Sequence, residues 1–313
     1  MYHALMLIVG QEQCDRPVEI NHDGSIDVLT FSANGQYILT ADGDAVQMWG
    51  VEDGKQMARM TTWRALCLAV SQDGRWIAAG TDHWEIIVWD TKTFENFSWT
   101  YKGCVDIREV YFSPDSTRLV AAIETWAHKP KNGVTVVWDI ATREQAQTLD
   151  HEDSIAATYS PQGNRIATAP IGSIRIWDSD DGRLIRDIKD VRATKVLWQS
   201  NDHLLVISRR GDSTIFQQID ASTGTISAEW PADPDSCIAA PKHGNFIVYS
   251  TGHIVTIWDV LTRTQLGLIQ HTRDVASIAL SPDGRFLAIG DKDKKITIEN
   301  LSCLTASIHL IAL

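Results

Sequence analysis

The chain is written in short runs where apolar and polar residues alternate, and almost no stretch sustains the 3.6-residue apolar period of a helix. Between residues 154 and 188, "SIAATYS", "RIATA", "SIRIW" and "RLIRDI" follow one another, separated by Gly, Asp, Asn and Ser. β-Branched and aromatic residues at period two suit a pleated, half-buried surface, and the small polar residues between them suit turns. The pattern predicts four antiparallel strands in this stretch and an all-β chain.

The same unit recurs along the chain. The turn "YSPQG" at Tyr159 returns as "FSANG" at Phe31, "VSQDG" at Val70, "FSPDS" at Phe112 and "LSPDG" at Leu280, with degenerate copies "WQSND" at Trp198 and "APKHG" at Ala240. A second element ends the third run of each unit: Trp49-Gly50, Trp89-Asp90, Trp138-Asp139, Trp177-Asp178 and Trp258-Asp259, eroded to Ile219-Asp220 and Glu299-Asn300 in two copies. Both series advance by about 40 residues, and the one long step, Trp89 to Trp138, holds an insertion near Trp126.

Seven registered copies of two motifs resemble WD40 repeats, and the resemblance covers nearly the whole chain. It implies a seven-bladed WD40 β-propeller with four antiparallel strands per blade, since a lone four-stranded sheet cannot bury both faces. The expected arrangement is a single domain over residues 1–313. Its blade cores run about 22–62, 63–102, 103–150, 151–189, 190–231, 232–270 and 271–313, with 1–21 closing the ring. Val9 stands thirteen residues before His22, as Trp258 stands thirteen before His271, so the first segment reads as third and fourth strands of a blade. The C-terminal "LTASIHLIAL" also reads as a fourth strand. The N-terminal segment is expected to close blade seven, with an extra-strand edge or a strand-exchanged dimer as the alternatives to a monomer.

The resemblance further implies a buried network in each blade: a His before the first strand, a Ser or Thr in the second, an Asp in the following loop, and the Trp. The His is present as His22, His151 and His271. The unit of His151 keeps Thr168 and Trp177 but has Pro170-Ile171-Gly172 in the loop; that of His271 keeps Asp293 but has Glu299 for Trp. No unit clearly shows all four, so packing between sheets is expected to carry the eroded blades.

Composition narrows the function. A net charge of −12 argues against nucleic acid or an anionic membrane as partner. The five cysteines are scattered, without a Cys-x-x-Cys pair, and read as free thiols in a reducing compartment. The start lacks a basic n-region, and no apolar run reaches the roughly 20 residues of a membrane helix, so a cytoplasmic or nuclear location is expected. Walker A, Gly-x-Ser-x-Gly and His-Glu-x-x-His sequences are missing. Turn aspartates such as Asp73, Asp115 and Asp283 bond their own backbone, and Asp233, Asp235, Cys237 and His243 lack ligand spacing. No enzyme, cofactor or metal is predicted.

Three tryptophans fall outside the repeat: Trp63 before the first strand of blade two, and Trp84 and Trp126 in second-to-third strand loops of blades two and three. Family topology puts both loop types on one rim, and the insertion adds His128, Lys129 and Lys131. Tryptophan concentrates binding energy at interfaces, and the lysines would suit an acidic or phosphorylated segment. The plainer reading is that Trp63 fills the space of a missing His while Trp84 packs on Trp126. The function expected is a scaffold presenting this rim to a protein or peptide. The alternative is a reader of a small ligand or modified residue through the central channel or the aromatic rim.

Overall fold

The computed structural model describes residues 17–101, 104–125, 133–149, 154–233, 236–241 and 246–301. These residues form seven four-stranded antiparallel sheets, the blades of a seven-bladed β-propeller. They divide into two compact units, one within residues 62–233 and the other made of those within 17–61 and 236–301.

The first unit holds blades 2 to 5. Their strands are Ala65–Val70, Trp76–Thr81, Glu85–Asp90 and Asn96–Thr100; then Cys104–Phe112, Arg118–Thr125, Gly133–Asp139 and Gln145–Leu149; then Ser154–Tyr159, Arg165–Pro170, Ser173–Asp178 and Leu184–Lys189; then Ala193–Trp198, His203–Arg210, Ser213–Asp220 and Ile226–Ala232. The other unit holds blade 1 (Val28–Phe31, Tyr37–Ala41, Ala45–Gly50, Gln56–Thr61), blade 6 (Ile238–Ala239, Phe246–Thr251, Ile254–Asp259, Thr264–Gln270) and blade 7. Blade 7 is composite. Val275–Leu280, Phe286–Asp291 and Lys295–Asn300 are joined at the outer edge by Val18–Asn21, with Val18 opposite Ile298 and Asn21 opposite Lys295.

The repeated turns have a local cause. In "SQDG", Ser71 Oγ donates to Asp73 Oδ1, the Arg75 and Trp76 amides donate back to Asp73 and Ser71, and Gly74 takes φ 71°. Serine and aspartate substitute for backbone partners here, and glycine adopts the left-handed conformation without a Cβ clash. Blade 3 builds the same turn with Ser116 at φ 62°.

Between blades lies apolar packing. In the seam of blades 2 and 3, Ile86, Val88, Trp99, Ile107, Phe112 and Trp138 are buried together, and Trp99 stacks on Trp138 at 4.9 Å while donating its N–H to Arg143 O. Ala167, Ile174, Val196 and Leu204 fill the seam of blades 4 and 5, and Ile20, Phe31, Trp49, Ala288 and Ile298 that of blades 7 and 1. Each such side chain contributes about 1.5–3 kcal/mol by leaving water, so these seams outweigh any single polar contact.

Candidate functional site

Three of the network residues meet in blade 1. Thr40 Oγ1 accepts the Trp49 indole N–H at 3.0 Å and lies 2.9 Å from His22 Nε2, while His22 Nδ1 lies 3.0 Å from Gly24 O. The threonine hydroxyl accepts from the indole and bonds the imidazole with its proton or its second lone pair, while Nδ1 lies within reach of both the Gly24 carbonyl and the Gly24 N–H. Asp42, also buried, turns its carboxylate to the amides of Asp44 and Ala45 and to the Gln47 side chain. Burial alone would raise this carboxyl, but those hydrogen bonds win and hold it below the ordinary aspartate range. Blade 1 therefore assembles His22, Thr40 and Trp49, with Asp42 beside them, where the sequence showed no complete set.

In blade 4, Trp177 donates its N–H to Thr168 Oγ1 at 2.9 Å; His151 lies outside the described residues. In blade 7 the buried loop carboxylate is Asp291, which accepts the amides of Asp293 and Lys295, whereas Asp293 is exposed and pairs with Arg273 at 2.7 Å. His271 is half-buried with Nε2 lacking a hydrogen bond. The aspartates after the repeat tryptophans close turns: Asp178 Oδ1 accepts the Asp180 and Asp181 amides, and Asp259 Oδ1 those of Leu261 and Thr262. Those amides hold the Asp178 carboxyl low. Trp89 is fully buried, Trp138 lies in the blade 2–3 seam, and Trp258 sits opposite Ile247 in blade 6.

The rim residues of blade 2 behave differently. Ala65 pairs with Thr81, so the entry to the first strand and the hairpin after the second leave the sheet at one edge. Trp63 is 56% exposed and stacks on His83 with ring centroids 4.3 Å apart and 13° between planes. The His83 ring also meets Asp82, with Nδ1 2.7 Å from the carboxylate. Trp63 thus covers no core; it forms an exposed stack.

Beside the stack, Trp84 is 43% exposed and occupies φ 66°. In the corresponding hairpins of blades 4, 5 and 6 the left-handed residue is Gly172, Gly211 or Gly252; in blade 7 it is Lys294. A bulky L-residue there costs about 1–2 kcal/mol. The buried Thr81 hydroxyl clamps the turn, accepting from the His83 and Glu85 amides and donating to Glu85 O, while Tyr101 N–H donates to Trp84 O. A strained, exposed aromatic held by its surroundings is the kind of outlier that marks functional positions. Sequence reading singled out the two tryptophans but missed His83, whose only signal was its place between Asp82 and Trp84. Trp126, His128, Lys129 and Lys131 lie outside the described residues, as do Asp235 and His243.

Among the described residues, no three His, Cys, Asp or Glu side chains converge as a metal site, and no helix is long and apolar enough to cross a membrane. Cys67 is buried, and burial pushes its thiol up to about 12, which suits an inert core residue.

The family model "WD domain, G-beta repeat" matches residues 59–90 and 262–298. The chain is 21% identical over 304 residues to WD repeat-containing protein 18 of Danio rerio, covering 86% of this chain and 68% of that protein. It is 31% identical over 256 residues to cilia- and flagella-associated protein 52 of Macaca fascicularis, covering 74% of this chain and 43% of that protein. With the LST8 homolog of Drosophila melanogaster it shares 26% over 199 residues, 58% of this chain and 60% of that protein. It therefore spans less than two thirds of the latter two. Hydrazine synthase of Kuenenia stuttgartiensis superposes with a TM-score of 0.76 over 90% of this chain and 97% of that chain, at 15% identity, a likeness of fold alone.

Proposed function

The chain belongs to the WD40 β-propeller family, and on that premise we propose that it is a non-enzymatic interaction scaffold, cytoplasmic or nuclear, that engages a protein or peptide through the rim of blade 2. The observation carrying this reading is Trp84, exposed in a left-handed backbone conformation that blade 4 gives to Gly172 at the equivalent position, beside the Trp63–His83 stack. A residue that costs stability and covers no core has no structural reason to be tryptophan. Exposed indoles offer a partner large apolar area at low entropy cost.

The relatives' names, a WD repeat protein, a cilia- and flagella-associated protein and an LST8 homolog, share no pathway, so the reading stops at the class of partner. Fold alone does not assign a pathway. The basic insertion at Lys129 and Lys131 supports an acidic or phosphorylated segment as one form of that partner.

The test is quantitative co-precipitation from the native cell with wild-type protein and with Trp63→Ser. Loss of one stoichiometric partner at least tenfold, with the melting temperature unchanged, is the expected result. Equal recovery by both proteins would refute the rim assignment.

A further inference from the structure

Where the first strand of a blade begins and the second ends, the ladder runs one rung past the strands. In blade 2 that rung sets Arg64 opposite Asp82, with the Asp82 N–H donating to Arg64 O at 3.1 Å. In blade 7 it sets Asp274 opposite Lys292, with the Lys292 N–H donating to Asp274 O at 3.0 Å and the two side chains meeting at 3.6 Å. Both rungs hold opposite charges. The same rung of blade 5 holds two arginines: the Arg209 N–H donates to Arg192 O at 2.9 Å, one step beyond the Ala193–Ser208 pair. Directly opposite residues share one face of the sheet with Cβ atoms about 5 Å apart, and like charges there repel.

Among the described residues, no ion pair relieves that repulsion. Arg175 pairs with Asp187 and Arg210 with Glu229, but the Arg192 and Arg209 side chains are exposed and pair with no carboxylate. Asp190 and Asp212, the acids nearest to them in sequence, are exposed and pair with neither. Lys195 adds a third cation to the face, because it opposes Ile207, two residues from Arg209, after a register break. Glu109 of blade 3 acts on that lysine. Blade 4 supplies an apolar neighbour. Ile171 holds the matching place there, one step beyond the Ser154–Pro170 pair, and is 74% exposed. The Val191 N–H donates to Gly172 O at 3.3 Å, so the chain entering Arg192 is fastened to the Ile171 hairpin.

We propose that Arg192 and Arg209 form a binding site for a phosphate group carried on a peptide, with Ile171 meeting an apolar side chain of the same peptide. A phosphate monoester brings about −1.5 to −2 charges and three acceptor oxygens, enough for two guanidinium forks, whereas one carboxylate answers only one. The chain as a whole carries −12, so the dianion is held by contact with this pair and is not drawn in by the surface at large. Free phosphate would leave Ile171 in water, and a peptide covers it. The site shares no residue with Trp63, His83 and Trp84, so each surface can fail without the other.

The experiment offers the immobilised full chain a degenerate phosphoserine peptide library and its unphosphorylated twin in equal amounts. Wild type should retain the phosphorylated library about tenfold better, with the preference shrinking as salt is raised. The double variant Arg192→Gln/Arg209→Gln should lose the preference, and Arg210→Gln, whose guanidinium is engaged by Glu229, should keep it. Inorganic phosphate should compete about tenfold less well than the retained peptides, since it makes no contact with Ile171. Equal retention of both libraries by wild type, a preference that survives the double variant or disappears in Arg210→Gln, or equal competition by inorganic phosphate would each overturn the site. The double variant should also melt no lower than wild type, because it removes a repulsion; a lower melting temperature would contradict the unrelieved pair on which the site rests. The two-library comparison on wild-type protein needs no variant to fold.

Discussion

Blades 1 and 5 solve one problem with different residues. Each must tie its middle strands together where the repeat normally places a tryptophan. Blade 1 does so in the dry interior: His22, Thr40 and Trp49 are all buried, and Thr40 serves both partners at once. Blade 5 has Ile219 at the tryptophan position and no histidine ahead of its first strand. Its polar chain runs outward instead, from Ser208 Oγ to Gln217 Oε1 at 2.6 Å, from Gln217 Nε2 to Glu229 at 2.7 Å, and from Arg210 to the same carboxylate. Gln217 is equivalent to Gln47 of blade 1, two residues before the Trp49 or Ile219 position. The fold therefore requires a satisfied polar chain or an apolar plug at this level, and not a particular set of residues. The energetic difference is where each chain ends, one in the core and the other in water.

That contrast can be broken experimentally. The largest effect is expected for Thr40→Val, which keeps the shape but strips the hydroxyl from between His22 and Trp49. Two buried groups lose a partner, and unfolding free energy should fall by about 2–4 kcal/mol in urea denaturation. Glu229→Ala should cost less, about 1–2 kcal/mol by the same measurement, because only the buried Gln217 amide is left unpaired while Arg210 turns to water. Arg210→Ala should be smallest, below about 0.5 kcal/mol, since an exposed ion pair gains little over hydration. An Arg210→Ala cost matching that of Thr40→Val would show that the outward chain does not end in water as described.

The repeat was legible because its determinants are local. Ser71, Asp73 and Gly74 build their turn from residues within five positions of each other, so the string itself carries the signal. Alternation did the rest, since strands half-buried between sheets keep a period of two. The network was harder to read because which carboxylate turns inward depends on the backbone. In "DKDKK" the sequence offers two aspartates, and the hairpin buries Asp291 and exposes Asp293. Thr40 and Asp42 were equally hidden, since nothing in "ILTADGD" marks one Thr and one Asp above their neighbours. Trp84 was visible as an odd tryptophan, but its left-handed backbone was not. Arg209 gave no signal, because Arg192, which faces it across the rung, stands in a different turn of the string.

The reading of the blade 2 rim is tested most directly by Trp84→Gly, measured for stability and for partner capture in the same preparation. Glycine relieves the left-handed strain, so the unfolding free energy should hold or rise, by up to about 1–2 kcal/mol. Capture of the partner should be lost in the same sample. Retained capture, or a fold that collapses without the indole, would contradict the account, because Trp84 would then serve the blade and not the partner.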